Sequence, residues 1–190
     1  MTGGLKGEKG TTHYQSERKQ GPAGTEWEVV YLITPYNAYQ NTAVEKTFNQ
    51  SLHSQFPFKQ LRQSRPEVSQ KLENKTYICI FMGDYDSSYP LYDFMPTHWD
   101  DPARGRIPLM WGIDPNLIES YPDIISYYYE TASPNDHFAA DASAAGYMNP
   151  NRVPKESIPL FIRHNKHFYD LCDMSISAMV QDWDQPTTQS

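Results

Sequence analysis

The chain has 190 residues and a mass of 21.9 kDa, enough for one hydrophobic core or two small ones and too much for a disulfide-held mini-protein. Its two cysteines, Cys79 and Cys172, form no CxxC motif or multi-bridge framework, and its longest apolar run, Tyr77 to Met82, falls far short of the roughly 20 residues a membrane-spanning helix needs. The formal net charge of −7 is concentrated in residues 76–190, where six basic and sixteen acidic side chains leave a net −10, a balance that repels phosphate backbones and argues against a nucleic-acid partner.

Residues 1–26 read as a flexible N-terminal arm, since six of the ten glycines lie in the first 24 positions among Lys, Gln, Thr and Ser. Val29 to Ile33 is a short β-branched run closed by Thr34-Pro35. The following stretch, Ala38 to Phe56, is helix-compatible, with Val44, Phe48 and Leu52 at four-residue spacing. Phe58 to Asn74 is basic and polar and reads as a long connection. Tyr77 to Met82 is the strongest strand signal, ended by Gly83 and a polar loop. Ser88 to Trp99 suggests a short helix, and Ile107 to Ile113 a strand closed by Asp114-Pro115-Asn116. Pro122 opens a helix that must stop before Pro134. A small strand at His137 to Ala140 leads into the loop from Asp141 to Pro154. Ser157 to Cys172 is a helix with Leu160, Phe161, His164, Phe168 and Leu171 on one side, and Met174, Ile176, Ala178 and Val180 alternate as a final strand does.

This order predicts an α/β chain with parallel strands near 29–33, 76–82, 107–113, 137–141 and 175–181. The middle strands recur at the interval of βα units. Five such strands are a little over half of a (β/α) barrel, which needs about 250 residues. The expectation is a partial barrel over residues 27–190, with an exposed sheet edge and the remainder of a longer polypeptide missing. No charged-then-apolar leader opens the chain.

In parallel sheets ligands bind at the carboxyl ends of the strands, so the polar residues there are the candidates for chemistry. Asp84, Asp86, Asp114 and Asp141 are the candidate catalytic carboxylates. Tyr36, Asn37, Tyr85, Trp111, Asn116, Tyr147, Asn149 and Asp182 are the candidate substrate contacts. Asp84 and Asp86 are the sharpest pair: in an extended segment side chains two apart point the same way, and mutual repulsion would raise the pKa of one. A protonated acid beside an ionised carboxylate suits glycosidic bond cleavage, with a second carboxylate needed across the mouth from Asp114, Asp141 or Asp182. Tyr147, in a loop of small residues, could lie flat on a sugar ring. Each acid has a plainer reading as a turn or helix cap. The 12 of 26 aromatics between Tyr77 and Tyr129 could likewise be a core beneath an acidic surface. His164 and His167, an i,i+3 pair, lack a third ligand nearby and read as a helix face, so no metal or cofactor is expected.

Five blocks carry a resemblance: Phe81-Met82-Gly83-Asp84-Tyr85-Asp86-Ser87, His98 through Leu109, Asp114-Pro115-Asn116-Leu117, Thr131 through Asp136, and Ala144-Ala145-Gly146-Tyr147-Met148-Asn149-Pro150. In order and spacing over roughly residues 27–184 the chain resembles the C-terminal domain of the GxGYxYP putative glycoside hydrolases. Ala144 stands where the first glycine of the namesake motif falls, and Asn149 where its second tyrosine does. A positive φ at Ala144 would strain it. The resemblance implies a barrel-like domain of a larger, exported protein acting on carbohydrate, and brings no established catalytic pair. The first functional reading is therefore a glycoside hydrolase domain centred on rim carboxylates. A non-catalytic glycan-binding module, or a metal-dependent carbohydrate deacetylase in which Asp and His converge on an ion, are the alternatives.

Overall fold

The computed structural model describes residues 34–36, 49–64, 71, 73–146, 148–178 and 186–187. The arm at 1–26, the strand expected at 29–33, and most of the helix expected between 38 and 56 lie outside the described residues. Three strands, β1 (Phe81–Tyr85), β2 (Leu109–Ile113) and β3 (Asp136–Ala139), form a parallel sheet in the order β1-β2-β3. The helices are α1 (Gln50–His53), α2 (Ser88–Tyr92), α3 (Met95–Trp99), α4 (Leu117–Ser120), α5 (Pro122–Glu130) and α6 (Ile158–Cys172). The α/β class and the parallel direction of the middle strands agree with the pattern read from the sequence, and the described residues contain three strands where five were expected. The fifth is represented by a parallel bridge between Ala140 and Ser177, with Ala140 N donating to Ile176 O at 2.9 Å and Ala178 N to Ala140 O at 2.8 Å.

The strand signal at 76–82 is displaced: the ladder begins at Phe81 and runs on to Tyr85, through residues expected to be loop. Pro108 explains the late start, because it has no N–H to give to a ladder and β2 begins only at Leu109. Ile80 O still accepts from Met110 N at 2.9 Å, while Tyr77 and Ile78 are exposed. The late end has a different cause. β1 pairs Met82 with Trp111 and Tyr85 with Ile113, so one extra residue is accommodated between them as a bulge. Asp84 takes the strain there with φ 72°, one of three non-glycine residues at positive φ among those described. The helix expected over 88–99 is broken into α2 and α3 around Asp93 and Phe94.

Alternation along the strands gives the sheet two different faces. Tyr85, Trp111, Ile113 and Phe138 lie in one core cluster with Leu91, Met95, Trp99, Leu117, Ile118, Ile125, Tyr128, Phe168 and Cys172, all buried. The clustered aromatics are thus largely a core. Trp99 is its hub, with Tyr128 at 5.0 Å, Trp111 at 5.1 Å and Phe138 at 6.0 Å between ring centroids. Each such pair contributes about 0.5–1.5 kcal/mol beyond its buried area. The opposite face carries Phe81, Gly83, Met110, Gly112 and His137 and is more open. On α6 the buried positions are Asn165, Phe168 and Cys172, whereas Leu160 is 62% exposed, so the packed side is rotated from the one expected.

The base of the sheet is locked by one buried acid. Asp136, at the start of β3, accepts from Trp111 Nε1 at 2.9 Å and Ser133 N at 2.8 Å and forms an ion pair with Arg104 Nη1. Burial by itself pushes its carboxyl pKa up, but the hydrogen bonds from Ser133 and Trp111 and the Arg104 charge outweigh it, so the pKa ends below the ordinary value. The Arg104 guanidinium lies 4.1 Å from the Trp99 ring centroid, Trp99 Nε1 donates to Thr131 Oγ1 at 3.0 Å, and Asn135 Nδ2 donates to Gly105 O at 2.8 Å. Gly105 needs its φ of 80°, and a Cβ there would stand 2.9 Å from Ser133 Oγ. The sequence blocks 98–109 and 131–136 are therefore the two halves of one lock.

The far edge of β3 is sealed by a side chain. Gln63 Nε2 donates to Phe138 O at 2.9 Å and to Asp173 O at 2.8 Å, and Gln63 Oε1 accepts from Phe138 N at 2.6 Å. Its carboxamide does for Phe138 what a neighbouring strand would do. Leu61 N donates to Leu171 O at 2.7 Å and its side chain is buried, so this part of the supposed connection is an integral element.

Two stability predictions follow from these partners. Arg104→Met should lower the unfolding free energy by about 3 kcal/mol, because Asp136 is left charged and buried without its counter-ion; urea unfolding at neutral pH reads this. With a depressed folded pKa, Asp136 contributes stability above its ordinary value that is lost as pH falls through the folded value, so the gap between variant and wild type should close in acid. Gln63→Leu should cost about 1–3 kcal/mol by leaving both Phe138 backbone groups unpaired, and hydrogen exchange at Phe138 N should accelerate.

Candidate active site

At the carboxyl end of the sheet, on the open face, the Asp141 carboxyl group reaches back across two strands. Its Oδ2 accepts from Asp84 N at 2.8 Å and from Tyr85 N at 3.2 Å. Both amides lie at or beside the irregularity between Met82 and Tyr85, where Asp84 has its positive φ. The side chain fits because β1 and β2 present glycines beneath it. A Cβ on Gly112 would stand 2.6 Å from Asp141 Oδ1 and 2.6 Å from Phe81 Cζ, and one on Gly83 would stand 3.2 Å from Asp141 Oδ1 and 3.3 Å from Phe81 Cε1. The carboxyl group and the Phe81 ring share a slot that any side chain on β2 at that point would fill.

This setting changes the acid. Burial pushes the Asp141 pKa up, the amides of Asp84 and Tyr85 pull it down by favouring the charged form, and the negative charge of Asp84 pushes it up again, leaving it at about 6 against an ordinary 3.8. A carboxyl group so tuned exchanges a proton near neutrality. Asp84 is exposed on the rim beside it.

The other candidate residues fall into distinct places. Asp86 is 8% exposed and does not share the open position of Asp84: the bulge breaks the two-residue alternation on which a common facing rests. Asp114 is fully buried, and its Oδ1 accepts from Ala142 N at 3.2 Å, bracing the end of β2 to the loop after β3. Tyr85 is placed in the core rather than on the rim: its ring packs on Phe94 and Trp111 and its hydroxyl is hydrogen-bonded to His98 Nδ1 at 2.9 Å. Trp111 is also buried, spent on the Asp136 lock. Asn116 stands at the N-cap of α4 with a buried Oδ1 that finds no hydrogen-bond partner among the described residues. Asn149 is fully buried and its Oδ1 accepts from Asn151 N at 3.0 Å, capping the turn Pro150–Arg152. Tyr36 is 84% exposed in the turn Thr34–Tyr36. Asn37, Tyr147 and Asp182 lie outside the described residues.

The loop after β3 is built without strain at Ala144. The positive φ falls on Gly146, at 82°, inside a turn where Gly146 N donates to Ser143 O and Ser143 Oγ to Gly146 O, both at 2.7 Å. Ala144 is buried, its N donates to Asn165 Oδ1 at 2.8 Å, and His164 Nε2 lies 3.0 Å from its carbonyl oxygen. His164 thus steadies the loop from α6. Among the described residues no group of three or more His, Cys, Asp or Glu side chains is placed to hold a metal ion, and no helix is long and apolar enough to cross a membrane. Sequence reasoning missed Gly83, Gly112 and Phe81. The available signal was a glycine inside the apolar run of β2, which marks a close approach by another group.

Residues 74–190 match the GxGYxYP putative glycoside hydrolase C-terminal domain. Among solved structures the chain is similar to one described as a putative hydrolase from Bacteroides thetaiotaomicron VPI-5482, with a TM-score of 0.69 and 20% sequence identity over 78% of this chain and 29% of that chain. At that identity the likeness shows a shared fold, and this chain spans less than a third of that relative's length. None of the curated proteins matches the chain. The matched segment takes in all three strands, the Asp136 lock, Asp84, Asp141 and the loop that follows, and with more than half of its length so matched the chain belongs to the GxGYxYP putative glycoside hydrolase family.

Proposed function

We propose that this chain carries the acid–base centre of a domain that hydrolyses glycosidic bonds, with Asp141 as proton donor and Asp84 as the neighbouring carboxylate. The observation that supports it best is the Asp141 carboxyl group, held over two glycines with its pKa raised to about 6. A general acid works best when its pKa lies near the operating pH. In the step proposed, Asp141 gives its proton to the glycosidic oxygen as the bond from the anomeric carbon to that oxygen breaks, and the leaving sugar departs as an alcohol. Asp84 faces the positive charge that grows on the ring. Water then adds to the anomeric carbon and its proton passes to a carboxylate. The open face of the sheet would be the interior side of a barrel-like (β/α) sheet with further strands; the parallel bridge at Ala140 and Ser177 supports that continuation. Tyr36, Asn37, Tyr147 and Asp182 remain candidates for contacts to the sugar, and a neutral carbohydrate suits the net acidic charge of residues 76–190.

The test is cleavage of a panel of neutral oligosaccharides by the full-length protein, read as release of reducing ends. Asp141→Asn should lower kcat at least about 100-fold while binding persists, and the alkaline limb of kcat/KM in the wild type should fall through about pH 6. Full turnover by Asp141→Asn would overturn the assignment, and binding by the wild type without cleavage would make the domain a glycan-binding module. Stability should move the other way. A folded pKa raised above 3.8 means the native state binds the proton more tightly than the unfolded chain, so stability falls as pH rises from about 4 to about 6 and the cost is fully present above that. Asp141→Asn should therefore be as stable as the wild type at pH 7.5 or more so, by up to about 2 kcal/mol, with the advantage gone near pH 4. Gly112→Ala should lower turnover with a smaller loss of affinity, because its methyl group displaces the Asp141 carboxyl group; steady-state kinetics separates the two.

A further inference from the structure

We propose that Phe81 is a positioning residue of this site: its ring is the apolar wall that keeps water from one side of the Asp141 carboxyl group and so disfavours the charged form of that group. This rests on the reading of Asp141 as the acid, and it is carried by packing. Phe81 opens β1 on the open face of the sheet, paired with Met110. From there its ring turns over the glycines, and its Cζ and Asp141 Oδ1 both come within 2.6 Å of where a Gly112 Cβ would be. Two glycines on adjacent strands thus give room to one aromatic ring and one acid together. The exposed apolar positions at this edge include Ile78 and Ile80 as well as Phe81, yet of these it is Phe81 whose ring shares with the carboxyl group the space above Gly83 and Gly112. Phe81 as a whole is 37% exposed, so the residue is not sealed from solvent.

Among the described residues the groups that bear on Asp141 besides this wall are few. From β1 come the Asp84 charge, the Tyr85 phenol and the two backbone N–H groups of Asp84 and Tyr85. From the end of β2 comes Asp114, one residue away through its bond to Ala142 N. The amides favour the charged form and Asp84 opposes it. An apolar ring over the carboxyl group disfavours the charged form by denying it water, the effect of burial on an acid. Removing the ring leaves the amides in place and admits water, so the proton should be held less tightly.

The experiment is a titration of the full-length protein labelled with carboxyl-¹³C aspartate, with the Asp141 resonance assigned by its loss in Asp141→Asn. In the wild type the midpoint should lie at about 6. Phe81→Ala should lower it by about one pH unit, and Phe81→Leu, which keeps apolar bulk, should lower it less. Should Phe81→Ala fail to fold, Phe81→Gln against Phe81→Leu carries the comparison, because the polar amide wets the slot and the leucine does not. Asp84→Asn should lower the midpoint independently, through lost repulsion. A midpoint in Phe81→Ala within about 0.2 pH unit of the wild type, or equal midpoints for the Gln and Leu variants, would overturn the proposal. The titration needs no substrate, so it separates this proposal from the function: a midpoint that falls in Phe81→Ala while the pH profile of glycan cleavage stays fixed would uphold the wall and remove Asp141 as the proton donor.

Discussion

A carboxylate shut off from water, Asp136, decides where β3 begins. It can remain charged there only because an indole N–H from β2, a backbone amide from its own loop and the Arg104 guanidinium all point at it. These partners come from three separate stretches of chain, so satisfying one acid fixes the approach of β3 to β2 and the path of the connection that carries Arg104. Trp99, beneath the guanidinium, ties the same lock to the aromatic core. Five residues further on, the strand delivers Asp141 to the opposite end of the sheet. The register set at the base is what brings that side chain level with the β1 bulge.

Acids at the strand ends share one device and differ in what surrounds it. Asp114 and Asp141 each accept backbone N–H groups from a neighbouring segment. Asp114 does so fully buried and joins two loops; Asp141 does so half-buried, beside another carboxylate and an aromatic ring. The first arrangement is a brace. The second leaves an acid whose pKa is raised to about 6. The unusual φ of Asp84 falls at the same bulge, beside the amides that Asp141 accepts from.

The family-specific blocks of sequence divide in the same way. The stretches 98–109 and 131–136 are explained by the lock at the base of the sheet. Asp84 and Tyr85 from the stretch 81–87 meet Asp141 at the carboxyl end of the sheet, and Ala144 and Gly146 lie in the loop that follows. Ala144 can replace a glycine because it is buried at ordinary φ and its amide is held by Asn165, whereas Gly146 takes the left-handed turn.

By itself the sequence determined the alternation of strands and helices, the parallel direction of the middle strands, the helix ending at Cys172, the resemblance that the family match bears out, and the placing of acids at strand ends. All of these rest on local periodicity, on breakers such as Pro122 and Pro134, or on recognisable blocks of residues, which a single chain displays. Tertiary structure decided which acid is tuned and which are braces. Asp84 and Asp86 look equivalent until a bulge separates them; Tyr85 and Trp111 look like rim aromatics until the core takes them; Gln63 looks like loop until its carboxamide pairs with Phe138. The setting of Asp141 is made by the space above Gly83 and Gly112 and by the amides of Asp84 and Tyr85, which lie 29 to 58 positions away in the chain. Desolvation and cross-strand packing are properties of groups brought together by folding, and no local pattern around Asp141 records them.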